Sequence, residues 1–141
     1  MKRRWGCLTA ALVPLAGLFF LIMIPVWHDD ARLDALYQRA ISYPNPPDTR
    51  ELHRRHDVTS GPQMWGGSGD YCEYRVRITL VTSLPPQEIR DYYGKAKIAG
   101  AQHDVMISLY FGDPDAGQSP FIVEFIDSYR NPWSWLCGGL G

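Results

Sequence analysis

Tyr71-Cys72-Glu73-Tyr74-Arg75-Val76-Arg77-Ile78-Thr79-Leu80-Val81-Thr82 decides the fold of this chain. Cys72, Tyr74, Val76, Ile78 and Leu80 alternate with Glu73, Arg75, Arg77 and Thr79. Successive side chains of a strand point to opposite faces, so a period of two predicts a strand with one buried and one polar face. Two runs downstream repeat the pattern. Val105, Ile107, Leu109 and Phe111 alternate with Met106, Ser108 and Tyr110, and Phe121, Val123 and Phe125 alternate with Ile122, Glu124 and Ile126. Between them, Gly112-Asp113-Pro114-Asp115-Ala116-Gly117 is rich in turn formers and predicts a hairpin loop. Upstream, Glu51 to Thr59 reads as a fourth strand. Its apolar residues are Leu52 and Val58, and charges fill its middle, which suits a sheet edge.

Two segments carry the helical period instead. Leu33, Leu36, Tyr37, Ala40 and Ile41 fall on one stripe, with Asp29 or Asp30 placed to cap the N-terminus. Tyr43-Pro44-Asn45-Pro46-Pro47 cannot continue that helix. The second starts at Pro85-Pro86, with Glu88 at its positive end and Ile89, Tyr92, Tyr93 and Ala96 on its inner face; Gly94 weakens its C-terminal half. The order helix, strand, strand, helix, strand, strand predicts an α+β domain, an antiparallel sheet with helices on one face.

Ahead of this domain the chain changes character. Met1-Lys2-Arg3-Arg4 is basic, and no charged residue occurs from Cys7 to Trp27. A bilayer core of about 30 Å takes about 20 apolar residues in a helix. Trp5 and Trp27 flank the run, where amphipathic rings favour the interface, and Pro14 and Pro25 are tolerated in a lipid helix. The expected organisation is a head over 1–6, a transmembrane anchor over 7–27 and the α+β domain over 28–141. His28, Asp29 and Asp30 follow the run, so the positive-inside rule places the N-terminus in the cytoplasm and the domain outside the cell membrane. A cleaved signal peptide fits less well: the run is long, and Ile24-Pro25-Val26-Trp27 lacks a small-x-small cut site. Cys7 precedes the run, whereas a lipid-anchoring cysteine would follow it.

All 15 acidic residues follow the run while three of the 14 basic ones precede it, leaving 11 against 15 and a net charge of −4 in the domain. Such a balance argues against nucleic acid as a partner. Cys72 and Cys137 are the two cysteines of the domain, and an even pair in an oxidising compartment is a disulfide candidate. Closing so long a loop stabilises by about 4 kcal/mol on the chain-entropy account. Without CxxC spacing, the pair is a poor metal site.

Tyr43-Pro44, Thr82-Ser83 and Ile89-Arg90-Asp91-Tyr92-Tyr93 together form a further pattern. Between about Ala40 and Tyr93 the chain resembles a set of uncharacterised, membrane-anchored bacterial proteins. They have a Tyr-Pro dipeptide after a first helix, a strand pair, a Thr/Ser-rich helix start and a paired-aromatic helix end. Asn45-Pro46-Pro47 stand where those proteins carry small residues. The resemblance implies the anchor and the fold, and no reaction.

The candidate sites are few. His53-Arg54-Arg55-His56-Asp57, with His103-Asp104 farther on, offers histidines beside a carboxylate for zinc binding or acid–base chemistry. Residues 53 and 56 point to opposite faces of a strand, however. Asp113, Asp115 and Glu124 have the offsets of three calcium-loop ligands, but Gln118 replaces the turn glycine. Trp65-Gly66-Gly67-Ser68-Gly69-Asp70 lacks both the Gly-Lys-Ser/Thr ending of a phosphate loop and a nucleophile elbow. Trp65, Trp133 and Trp135 lie in predicted loops or the tail and are candidates for core packing or for a contact surface. Arg75 and Arg77, beside Arg54 or Arg55, form a basic stripe laced with Glu73 and Asp57.

No catalytic set, cofactor or metal site is expected. The leading expectation is a non-enzymatic, membrane-anchored extracytoplasmic module. Its helix contacts lipid, and its domain binds an envelope protein. The alternative is a metal-dependent or acid–base enzyme using His53, His56 and Asp57. A third reading is a ligand pocket between the sheet and the Tyr92/Tyr93 helix.

Overall fold

The computed structural model describes residues 2–61, 71–113, 117–131 and Cys137. Its elements are α1 (Lys2–Ser42), β1 (Thr49–Gly61), β2 (Tyr71–Thr82), α2 (Pro86–Tyr93), β3 (Met106–Phe111) and β4 (Ser119–Arg130). The class is α+β as the alternation implies.

The N-terminal part departs from expectation. An anchor followed by a separately capped helix was expected; α1 is one helix of 41 residues, about 60 Å long at 1.5 Å per residue. Neither Asp29 nor Asp30 is a cap, because nothing between Trp27 and Arg32 interrupts the helix and a cap needs a non-helical residue. Pro14 and Pro25 lie inside it. From Leu12 onward it is long and apolar enough to cross a membrane. It ends at Ser42, before Tyr43-Pro44 as expected, with the Ser42 hydroxyl donating to the Arg39 carbonyl at 2.8 Å.

The four strands form one sheet in the order β1-β2-β4-β3, every pair antiparallel. β2 is central and pairs with β4 along its whole length, from Tyr71↔Arg130 to Thr82↔Ser119. The chain leaves β2 through α2 and returns at the far edge as β3, so that β4 inserts between them. β1 is an edge strand, extending beyond the expected Glu51–Thr59 at both ends. A register shift between Glu51 and His53 leaves Leu52 unpaired and exposed. This bulge leaves Leu52 outside the core, as suits an edge strand.

Register assigns the two faces. Cys72, Tyr74, Val76, Ile78 and Leu80 lie opposite Tyr129, Asp127, Phe125, Val123 and Phe121 and form the inner face. Leu36 and Ala40 of α1 and Ile89 and Tyr93 of α2 close over it, and all four are buried. α2 stops at Tyr93, with Gly94 as its C-cap, so Ala96 is not on its inner face. A β-carbon on Gly94 would meet the Arg90 carbonyl at 2.9 Å. The outer face carries Arg55, Asp57 and Thr59 beside Glu73, Arg75 and Arg77, then Glu124 and Ile126. Among the described residues no helix covers it.

Candidate functional site

Two clusters of buried polar groups stand out. The first lies where α1 leaves its apolar run. Asp29 is two residues past Trp27 and only 3% exposed. Its Oδ1 accepts a hydrogen bond from the Tyr74 hydroxyl at 2.7 Å. Burial, reinforced by that bond to Asp29, pushes the Tyr74 phenol well above its ordinary range, and Arg32 works the other way. The Arg32 guanidinium lies 3.4 Å from the centre of the Tyr129 ring, a cation–π contact. Burial opposes the Arg32 charge, but its polar contacts with Tyr74 and Tyr129 more than offset it.

Cys72 and Cys137 form a disulfide with their Cα atoms 5.6 Å apart. The bond joins Cys137 to the end of β2 nearest Asp29. The Asn131 side-chain amide donates to the Cys72 sulfur at 3.6 Å. One carboxylate oxygen of Asp29 and the two sulfurs lie within 4.8 Å of one another, all three residues buried. Asp29 Oδ2 has no hydrogen-bond partner. Among the described residues this is the group of three potential metal donors that converges. With the disulfide closed, neither sulfur offers the thiolate that a metal ion needs.

Sequence reasoning missed Asp29 by treating it as a cap. The signal was present: Asp29 stands four residues before Leu33, seven before Leu36 and eleven before Ala40, on the very stripe that packs against the sheet.

The second cluster lies on the outer face. Glu73 and Glu124 are 3% and 2% exposed. Arg75 binds Glu73 and lies 3.8 Å from Glu124, while Arg77 reaches Glu124 at 3.3 Å. Bonding to Glu73 outweighs desolvation and holds the Arg75 pKa above its ordinary value. Asp57 Oδ1, Thr59 Oγ1, Arg75 Nε and Glu124 Oε2 are buried without a hydrogen-bond partner. Four such atoms on one face are many for a native protein, where buried polar groups are nearly always bonded.

The histidine cluster is not assembled. His53 pairs with Thr79 on the outer face, whereas His56 pairs with Val76 on the inner one. The His56 ring packs 5.0 Å from Tyr37. Arg54, also facing inward, is held by Glu51 and Tyr37, so Arg55 is the residue that extends the Arg75/Arg77 stripe. His103 is exposed in the loop before β3, where its carbonyl accepts from Gly100. Glu124 sits in a strand and is ion-paired, away from any calcium-loop role. Asp115, the loop around Trp65 to Asp70, Trp133 and Trp135 lie outside the described residues. Rings fill the space beneath α2: Tyr93 meets Phe121 and Phe125 edge to face at 6.5 and 6.3 Å, and Tyr92 packs on Tyr43.

Comparison with protein-family models, curated proteins and solved structures finds no match for this chain.

Proposed function

We propose that this chain is a single-pass protein of the cell membrane, with a cytoplasmic N-terminus and a non-enzymatic extracytoplasmic domain that binds another envelope protein. One observation carries the reading. The helix long and apolar enough to cross a bilayer runs without a break into the core of the domain. Such a helix holds the domain against the bilayer surface. The outer face, which no helix among the described residues covers, carries Arg55, Arg75 and Arg77 and supplies a surface for a polar partner. The separation of His53 from His56 leaves the enzyme alternative without an assembled site.

The test is in-cell photo-crosslinking from Thr79 and Tyr110 on the outer face, with Trp65, Trp133 and Trp135 probed by the same method. A discrete protein adduct from the outer face, lost when Arg77 is changed to Glu, is expected. Adducts to lipid alone, under several growth conditions, would contradict the proposal. Labelling of an inserted cysteine at position 95 by an impermeant maleimide in intact cells reads the orientation, and protection there until lysis would reverse it.

A further inference from the structure

We infer that Cys72–Cys137 is a thiol–disulfide exchange site, with Cys137 as the attacked sulfur, Cys72 as the leaving and resolving sulfur, and Asp29 as its proton acceptor. The inference goes beyond the binding role and does not depend on it.

Three features distinguish this disulfide from a simple staple. The two cysteines, both buried, differ in residue exposure: Cys72 is 0% exposed and Cys137 9%. An incoming thiolate therefore meets Cys137 first, and access decides which sulfur is attacked. The Cys72 sulfur already accepts the Asn131 amide N–H. When the bond breaks, the electron pair leaves on that sulfur, and a hydrogen bond to an ionised acceptor is about twice as strong as one to a neutral acceptor. The third feature is the Asp29 carboxylate: one of its oxygens lies within 4.8 Å of both sulfurs, and its Oδ2 is buried without a donor. Leaving such an atom unpaired costs about 1–3 kcal/mol, more when it is charged. A Cys72 thiol would be its donor, so the disulfide form carries a cost that the dithiol form relieves.

The chemistry balances without any group beyond a dithiol or disulfide partner. In the reducing direction a partner thiolate attacks Cys137 Sγ and the Cys72–Cys137 bond breaks. Cys72 leaves as a thiolate and takes a proton, delivered through Asp29. The partner's second thiolate then attacks the mixed disulfide and releases Cys137, which is protonated from solvent. Two electrons pass from the partner, which ends as a disulfide. In the oxidising direction Cys137 forms the mixed disulfide with the partner. Asp29 takes the proton from the buried Cys72 thiol, and the resulting thiolate closes the bond and expels the partner thiolate. Asp29 is needed in this second step because Cys72 has no solvent route for its proton.

The test uses the reduced full-length chain in lipid nanodiscs and glutathione disulfide as the oxidant, with quenched mass spectrometry reading the free, mixed and closed forms. The folded protein is expected to exchange, with glutathione appearing on Cys137. In Asp29→Asn the mixed disulfide is expected to accumulate, with closure slowed at least about tenfold, the scale of one hydrogen bond to a charged group. The rise of the closure rate with pH is expected to move toward the ordinary thiol range in that variant. Asn131→Ala is expected to slow the reduction of the closed form by a smaller factor. Far-UV dichroism of each variant identifies any that fails to fold, and Asn131→Ser gives a second reading of the same donor. Closure in folded Asp29→Asn within twofold of the parent, with the same pH profile, would overturn the assignment of Asp29. Reduction of the parent only on global unfolding would overturn the exchange site altogether and leave a structural disulfide.

Discussion

The two halves of α1 are one helix in two environments. Leu12, Val13, Leu15, Leu18, Phe19, Phe20, Leu21, Ile24 and Trp27 are all exposed, although all are large and apolar. From Asp29, two residues past Trp27, the same helix buries a narrow stripe that includes Leu36 and Ala40. A helix that is apolar all round needs lipid, whereas one with a single stripe needs a sheet. The change occurs without a kink-forming residue or a cap between Trp27 and Arg32. It is a change of composition around the helix rather than of backbone, and it places the domain within a turn of the apolar run.

That contrast can be broken at several points. The largest effect is expected in the docked half. Leu36→Ala should destabilise the domain by about 3 kcal/mol, within the range for large-to-small core changes, while Leu18→Ala should leave its unfolding midpoint unchanged. Denaturant unfolding of the full chain in lipid nanodiscs reads both, and equal effects would dissolve the distinction between the halves.

The docked half is also held from its side. Arg39 binds the Ala99 carbonyl and reaches Asp127 at 3.3 Å, and Asp127 in turn accepts from the Ala101 amide. Gly100 sits inside this knot, where a β-carbon would lie 2.2 Å from the His103 carbonyl and 2.6 Å from Asp127. Gly100→Ala is expected to cost about 2 kcal/mol through displacement of backbone, with the thermal midpoint as readout. An unchanged midpoint would show that the 99–104 loop does not secure the helix.

Tyr74→Phe removes the donor to Asp29 at the junction itself. A loss of about 1–2 kcal/mol is expected, the cost of leaving a buried acceptor unpaired. A neutral result would mean that water takes the place of the phenol.

The smallest effect is a pH response. Burial raises the Tyr93 pKa, as it does that of Tyr74. A phenol raised in the folded state keeps its full contribution below the unfolded value of about 10, and the contribution falls as pH climbs above it, because the unfolded chain ionises first. Stability should therefore decline from about pH 10 upward, and Tyr93→Phe should flatten that decline. Equal alkaline slopes for parent and variant would remove Tyr93 as a contributor.

Much of this arrangement is legible in the residues. Alternation in Tyr71–Thr82 carries the central strand, Tyr43-Pro44 fixes the end of α1, and two cysteines in the domain give the bridge that forms between Cys72 and Cys137. What escapes is decided between elements. A one-residue bulge at Leu52 follows from pairing with β2, which no local pattern reveals. The capping reading of Asp29 failed because an acid ahead of an apolar stripe has the same local signature whether it starts a helix or sits within one. The convergence of Asp29, Cys72 and Cys137 depends on the sheet order, which brings together residues far apart in the chain. The outer-face ion pairs were anticipated in kind, but Glu124 as the shared acceptor of Arg75 and Arg77 required the β2–β4 register.

The continuity of α1 from its apolar run into the domain is the claim on which the rest stands. Backbone hydrogen exchange of the full chain in lipid nanodiscs, read for the amides from Trp27 to Leu33, tests it directly. A continuous helix predicts unbroken protection through His28, Asp29 and Asp30, at the level of the docked turns that follow. Rapid exchange confined to those three residues would reveal a hinge, and would free the domain from the bilayer surface.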